Sequence, residues 1–127
     1  MEIQSASSSV NERWPVLVDV ILWVLRRRRR LRVSGDSMYP TICEGDMLFI
    51  DQGAYASCIP QVDEIVVARH PYIKDLLLVK RVRAVHHNGS SIEVAGDNPQ
   101  ESTDSRGFGN LDSKALVGRV SSVWKKK

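Results

Sequence analysis

Two stretches of this 127-residue chain could do chemistry together: a turn that carries a serine and a strand that carries a lysine. Ser37 follows Gly35, which allows a sharp backbone, and precedes Pro40, which fixes its own φ. A hydroxyl on a tight turn can attack a peptide carbonyl once a base removes its proton. Taken alone, this stretch is more typical of an ordinary polar loop before a strand than of a catalytic turn.

Lys80 is the candidate base. The apolar and β-branched stretch around it predicts a strand, in which Lys80 shares one face with Leu78 and Val82. Arg81 and Arg83 point the other way, to a face predicted to be solvated. Burial disfavours an ammonium ion and lowers the pKa of a lysine from about 10.4, so that a neutral amine becomes available. The alternative is a lysine that extends its charge into water from the end of a strand.

A third stretch, from Gly96 to Gly109, is an ordinary polar loop when taken alone, but together with the other two stretches it forms a specific set of sequence patterns. The chain contains Ser-Met-x-Pro-Thr at 37–41, Gly-Asp-x-x-x-x-Asp at 45–51, Lys-Arg-Val at 80–82 and Gly-Asp-Asn-Pro-x-x-Ser-x-Asp-Ser-Arg-x-Phe-Gly at 96–109. In this order the four patterns resemble the signal-peptidase family of Ser-Lys proteases, over about residues 31–122. The short chain, Ala-Arg-His-Pro at 68–71 and Gly-Asp-Asn-Pro at 96–99 are most similar to the nickel-type superoxide dismutase maturation proteases.

The resemblance implies a role for each matching residue. Ser37 would be the nucleophile, Lys80 the general base, and Ser102 a hydroxyl that fixes the direction of the lysine amine. The backbone N–H of Ser37 would be one oxyanion donor. Many relatives supply a second donor from a serine two positions earlier, but here that position is Gly35, so the second donor stays open.

Further residues would support the site or bind substrate. Asp36 belongs to the serine turn, and Asp104 with Arg106 resembles a structural ion pair of the family. Met38 and Leu78 would line the pocket next to the scissile bond, where their bulk favours small substrate side chains. The resemblance implies no metal and no cofactor.

The implied fold is mainly β: a single signal-peptidase/LexA-like domain of coiled antiparallel sheets, preceded by one short N-terminal helix. The expected divisions are a disordered leader at 1–13, an apolar helix with an arginine run at 14–30, the protease domain at 31–124 and a basic tail at 125–127. Before the strand at 64–68, relatives usually carry Gly-Asp, whereas Asp63 and Glu64 stand here. That difference leaves the geometry of this turn open.

The apolar stretch from Trp14 to Leu25 has helical spacing and ends in arginines. At about 1.5 Å per residue it is too short to cross a bilayer core of about 30 Å, and Asp19 lies in its middle. Two interpretations remain open: a helix packed on the domain, or peripheral contact of residues 14–32 with a membrane surface. The expected location is the cytoplasm, including the inner face of a membrane.

The placement of charges, histidines and cysteines argues against several other functions. The net charge of +3 comes from basic residues concentrated at 26–32 and 125–127, so the body does not resemble a nucleic-acid-binding surface. Three histidines lie at predicted surface positions, which argues against a histidine-based triad. Cys43 and Cys58 fit no zinc spacing and predict free, mostly buried thiols.

Three classes of function therefore compete. The first is an endopeptidase that removes an N-terminal leader from a precursor protein, with nickel superoxide dismutase as the expected precursor. The second is a type I signal peptidase or an organellar inner-membrane peptidase that acts on exported proteins. The third is a self-cleaving LexA-like regulator or a non-catalytic basic binding module, although little chain precedes the serine strand to form a helix-turn-helix domain.

Overall fold

The computed structural model describes residues 13–24, 28–100 and 105–126, so most of the predicted leader lies outside it. Within these ranges the chain forms two α-helices and seven β-strands. In chain order they are α1 (Arg13–Val24), β1 (Arg29–Arg32), β2 (Met47–Asp51), β3 (Ile65–Arg69), β4 (Leu77–His86), β5 (Ser91–Ala95), α2 (Ser105–Phe108), β6 (Leu111–Asp112) and β7 (Leu116–Trp124).

The seven strands form one antiparallel sheet in the order β1-β2-β7-β3-β4-β5-β6. Register shifts interrupt the pairing of β2 with β7, of β3 with β7 and of β4 with β5, and such bulges increase the bend and twist of strands. The mainly β, single-domain fold with one helix at its N-terminal end confirms the prediction.

Strand β3 shows why the sequence folds this way. Its apolar stretch lies between β4 and β7, and Val66, Val67 and Ala68 are almost fully buried. Because side chains alternate along a strand, Val66 and Ala68 join one hydrophobic cluster and Val67 joins another. The sheet is therefore covered by apolar side chains on both faces at its centre, as an uninterrupted apolar strand requires.

Helix α1 packs against β2 and β7, which is the first of the two interpretations above. Its central Asp19 is only 2% exposed. Asp19 Oδ1 accepts hydrogen bonds from Arg28 Nε at 3.0 Å and from Ser121 Oγ at 2.9 Å. No helix in the described ranges is long and apolar enough to cross a membrane.

Asp63 resolves the question about the turn before β3. Its φ is +78°, in the left-handed region that glycine adopts most easily. The Asp63 N–H donates to Val82 O at 2.9 Å, and the Glu64 carboxylate accepts from the Gln61 N–H and the Tyr55 hydroxyl. An aspartate therefore adopts a backbone conformation that glycine adopts most easily.

One expectation about the cysteines is wrong. Both thiols are free, but Cys58 is exposed and Cys43 is only partly buried. Cys58 lies in the loop between β2 and β3, which contributes no strand to the sheet and so does not place its thiol in the core.

Candidate functional site

The turn that carries Ser37 is fixed by the core beneath it. Met38 and Ile42 are buried in one cluster, and the Ile42 N–H donates to Met38 O at 2.9 Å. At the start of the turn, Gly35 has φ +88°, and its N–H donates to Glu44 Oε1 at 3.1 Å. Ser37 itself stays partly exposed between these anchors. The arrangement presents its hydroxyl on a constrained backbone.

The loop after β5 holds the same turn from outside. The Asn98 N–H donates to Ser37 O at 2.9 Å, and Asn98 Nδ2 donates to Asp36 O at 3.1 Å. Asn98 therefore binds two successive carbonyl groups at the candidate nucleophile. The structure thus shows that Asn98 fixes the serine turn.

Asp97 connects this loop to β4 and to the serine turn. Arg81 Nε and Nη2 donate to its two carboxylate oxygens at 2.9 and 2.8 Å, and Thr41 Oγ1 donates at 2.6 Å. The Arg81 hydrogen bonds, followed by that from Thr41, hold the pKa of Asp97 below its ordinary value although burial opposes this shift. The same contact with Asp97 raises the pKa of Arg81.

Arg81 corrects one expectation, because it does not lie on a freely solvated face. Besides its two-pronged contact with Asp97, its Nη1 donates to Asp63 O at 2.9 Å. The β4–β5 hairpin explains this contact. Arg81 pairs with Ala95, the last residue of β5, so Asp97 lies two residues beyond the strand that is adjacent to Arg81. Alternation along β4 alone could not reveal a loop that crosses this face.

Lys80 is 3% exposed on β4 and pairs with Val66 of β3. It lines the same groove of about 500 Å³ as Ser37. The walls of this groove consist of residues 31–38 together with Leu48 on one side and residues 76–80 on the other. The structure thus brings together six of the predicted site residues: Gly35, Asp36, Ser37, Met38, Leu78 and Lys80.

The remaining predicted site residues cannot be placed in the groove. Ser102 and Asp104 lie outside the described ranges, and Arg106 lies in α2 with its side chain outside the description. Their proposed roles stay predictions.

The walls of the groove are strand edges. Strand β5 pairs with β4 from Arg81 to His86, so the pairing between these two strands does not extend to Leu77, Leu78 and Val79. Strand β1 is the first strand of the sheet and pairs only with β2 among the described strands. Free backbone groups on such edges can bind an extended peptide as an added strand. The groove therefore has the form that an extended polypeptide requires.

The histidines lie elsewhere. His86 Nε2 is 2.9 Å from Glu93 Oε2, and His70 Nδ1 accepts from the N–H groups of Tyr72 and Ile73. None of these residues lines the groove. In the parts of the chain that the structure describes, no group of three or more His, Cys, Asp or Glu side chains could hold a metal ion.

Replacing Asp97 by asparagine should weaken both the fold and any activity of the groove. The variant keeps the size of the side chain but loses the charge that binds Arg81, so we expect a loss of about 1–3 kcal/mol in unfolding free energy. Because the pKa of Asp97 is lowered in the fold, its stabilisation is present above the unfolded pKa of about 3.9 and is lost as pH falls through the folded value.

Denaturant unfolding at several pH values measures this effect. Asp75→Asn is the matched control, because Asp75 is exposed in the loop before β4. The two variants should differ at neutral pH and converge in acid. Equal stability of Asp97→Asn and wild type at neutral pH would contradict a stabilising role for this ion pair.

Comparison with known proteins agrees with the geometry. The family model described as Peptidase S24-like matches residues 25–120, which is more than half of the chain. The matched region includes the serine turn, Lys80 and the loop that carries Asp97 and Asn98. A search of curated proteins finds no match.

Proposed function

This chain belongs to the Peptidase S24-like family, and we propose that it is a serine endopeptidase with Ser37 as nucleophile and Lys80 as general base. Family membership supports a serine peptidase in general. The observation that carries the specific assignment is that the constrained Ser37 turn and the buried Lys80 line one groove. A serine paired with a neutral lysine needs no histidine for activation.

The reaction follows from these two groups. The Lys80 amine accepts the proton of the Ser37 hydroxyl as its oxygen bonds to the substrate carbonyl carbon. The Ser37 N–H donates to the oxygen that becomes negatively charged. The protonated Lys80 then transfers the proton to the leaving amine as the peptide bond breaks. Water, with Lys80 again accepting a proton, hydrolyses the ester formed on Ser37 and restores the hydroxyl.

The substrate would be an extended segment lying between residues 31–34 and 76–80. Met38 is buried and Leu78 is partly buried, and both side chains border the groove. Their bulk limits the space next to the scissile bond and favours small residues there. A flexible N-terminal leader of a precursor protein meets both requirements, because it can become extended without unfolding a domain.

Nickel superoxide dismutase precursor is the proposed substrate. The support is the similarity of Gly-Asp-Asn-Pro at 96–99 and Ala-Arg-His-Pro at 68–71 to the maturation proteases of that enzyme. We also propose that the groove faces the cytoplasm, because arginines at 26–30 and 32 follow the apolar helix in the sequence, and basic residues that flank an apolar segment at a membrane are retained on the cytoplasmic side.

Product masses test the proposed function. The purified chain is incubated with nickel superoxide dismutase precursor, with a secretory preprotein, and alone, each beside the Ser37→Ala variant. We expect loss of a leader from the first substrate only. Cleavage of the secretory substrate alone would support the signal-peptidase alternative, and Ser37-dependent cleavage of the chain itself would support the self-cleaving regulator.

Ser102→Ala should reduce cleavage by about 10- to 1000-fold, by analogy with the loss of one hydrogen bond in a preorganised site. The proposed role of Ser102 is to orient the Lys80 amine, so its removal should harm the reaction less than loss of Lys80. Initial rates on the same precursor measure the effect, with Ser57→Ala as the control because Ser57 is an exposed loop residue. Wild-type rates in Ser102→Ala would remove Ser102 from the mechanism.

A further inference from the structure

Helix α1 leaves part of its apolar surface exposed and buries its central charge. Asp19 faces the protein and is 2% exposed, whereas Leu17, Val18 and Ile21 are 49%, 48% and 58% exposed. A helix that covers a core usually directs its apolar side chains inward and its charges to water. We call Leu17, Val18 and Ile21 the outer face of α1. It is an apolar surface that the described residues leave uncovered.

Contacts within the protein fix this orientation. Arg28 and Ser121 both donate to Asp19 Oδ1, and they approach it from the segment before β1 and from β7. Rotating the helix to bury Ile21 would separate the Asp19 carboxylate from both donors and expose it. The outer face is therefore held outward by a buried polar contact.

Basic and aromatic side chains lie along a different flank of the same helix. A pocket of about 360 Å³ on one flank of α1 is lined by Val20, Trp23, Arg30, Arg32, Gly45, Met47, Phe49, Trp124, Lys125 and Lys126. The Arg30 guanidinium lies 4.6 Å from the centre of the Trp23 ring, and Trp124 is 52% exposed. Tryptophan with arginine or lysine is typical of side chains that meet a lipid headgroup region.

Two buried acidic groups near this pocket are already paired with basic residues. Asp19 pairs with Arg28, and the buried Asp46 pairs with Lys125. Among the described residues, Arg29, Arg30 and Lys126 form no ion pair with a carboxylate. A helix with an exposed apolar face and unneutralised cations along another flank is complementary to a surface that has acyl chains below negatively charged headgroups.

We propose that α1 docks this protein on an anionic lipid bilayer. The outer face inserts among the upper acyl chains, while Arg29, Arg30 and Lys126 contact headgroup phosphates. The helix has twelve residues, about 18 Å, which suits a helix lying in the interface. A nucleic acid would satisfy the cations but leave the outer face exposed, and a second copy of the chain would bring like charges together. This docking is independent of the proposed proteolysis.

Vesicle co-sedimentation tests the proposal with the full chain. The probes are vesicles of phosphatidylcholine mixed with phosphatidylglycerol and vesicles of phosphatidylcholine alone. We expect binding to the mixed vesicles, much weaker binding to the neutral ones, and loss of binding at high salt because the charges are screened. Ser37→Ala should bind like wild type, so that failure of docking and failure of the proposed chemistry are distinguishable.

Matched variants test the two halves of the surface. Ile21→Ser should lower affinity for mixed vesicles by about five- to tenfold. Ile73→Ser, at a site 54% exposed on a different part of the protein, should not. Joint replacement Arg29→Glu with Arg30→Glu should lower affinity on the order of tenfold or more, in contrast to Arg69→Glu on β3.

Two results would overturn the proposal. The first is equal binding of wild type to neutral and anionic vesicles, or equal binding of Ile21→Ser and Ile73→Ser to the mixed vesicles. The second is sedimentation of the lipid-free protein as a dimer that Ile21→Ser dissociates, which would assign the outer face to a second copy of the chain.

Discussion

Replacing Ser37 by alanine or Lys80 by methionine should each reduce cleavage of a precursor by at least about 1,000-fold. The two groups act as one unit, because a serine hydroxyl that keeps its proton is a weak nucleophile and an amine without a nucleophile has nothing to activate. The double variant should therefore be no worse than either single variant. Initial rates of product formation, followed by mass, measure all three.

Two substitutions nearby serve as controls. Ser34→Ala changes another hydroxyl that lines the groove, and Lys74→Met changes an exposed lysine in the loop before β4. Both should retain most activity. Circular dichroism first checks that purified Ser37→Ala and Lys80→Met are folded. If either variant then cleaved the precursor at the wild-type rate, the assignment of nucleophile or base would be wrong.

The base also predicts a pH dependence. Burial disfavours the ammonium form of Lys80, so activity should rise with pH as the neutral amine becomes populated. Where the folded protein must bury a charge that the unfolded chain exposes, stability is reduced at low pH and recovers as pH rises. Lys80→Met should then melt above wild type in mildly acidic buffer, with the difference narrowing at higher pH.

Replacing Asp46 by asparagine should cause the largest loss of stability, about 2–3 kcal/mol at neutral pH. Asp46 is 2% exposed and accepts hydrogen bonds from the Cys43 N–H, the Lys126 N–H and Lys125 Nζ at 2.8 to 2.9 Å. Although burial alone would raise the pKa of Asp46, these hydrogen bonds and the Lys125 charge hold it below its ordinary value.

The sign of the pH effect follows from that lowered pKa. The stabilisation by Asp46 is complete above its unfolded pKa of about 3.9 and disappears as pH falls through the folded value. Wild type should therefore lose its advantage over Asp46→Asn in acid. Chemical denaturation across pH measures this, and Glu93→Gln is the control because the Glu93–His86 pair is solvent-exposed and contributes little. An equally large loss in Glu93→Gln would contradict a special role for Asp46.

Asp46 also connects the two ends of the domain near the site. Its side chain holds the chain after β7, while its backbone carbonyl accepts from the Val33 N–H at 2.8 Å. Val33 lies in the groove wall just before the serine turn. Loss of the Asp46 contacts should therefore destabilise the groove more than it destabilises β5 and β6.

Most of the sheet could be predicted from the sequence because its strands have strong apolar patterns. The predicted strand at 64–68 matches β3 to within one residue at each end, and the predicted strand around Lys80 matches β4. Strand β6 and helix α2 were not predicted. Two and four residues are too few to show a periodic pattern, and tertiary contacts decide the conformation of such short segments.

The site could be predicted only where a residue's role depends on its local sequence. Ser37 and Lys80 belong to recognisable patterns, whereas the contact of Arg81 with Asp97 depends on a hairpin that brings a loop back across β4. The orientation of α1 was likewise left open. In the sequence, Asp19 argues only against insertion of the helix across a membrane. Its hydrogen-bond donor Ser121 lies 102 residues away, so the sequence could not show that Asp19 faces the protein.

A cysteine in place of Ser37 gives the most direct test of the central claim, because it needs no substrate. In a chain that also carries Cys43→Ser and Cys58→Ser, the Ser37→Cys thiol is alkylated with iodoacetamide and followed by intact mass, with and without Lys80→Met. A lysine amine next to the thiol takes up its proton and stabilises the thiolate, which is the reacting form. We predict alkylation on the order of tenfold faster when Lys80 is present near neutral pH. Equal rates in the two backgrounds would show that the side chains at 37 and 80 do not form a pair.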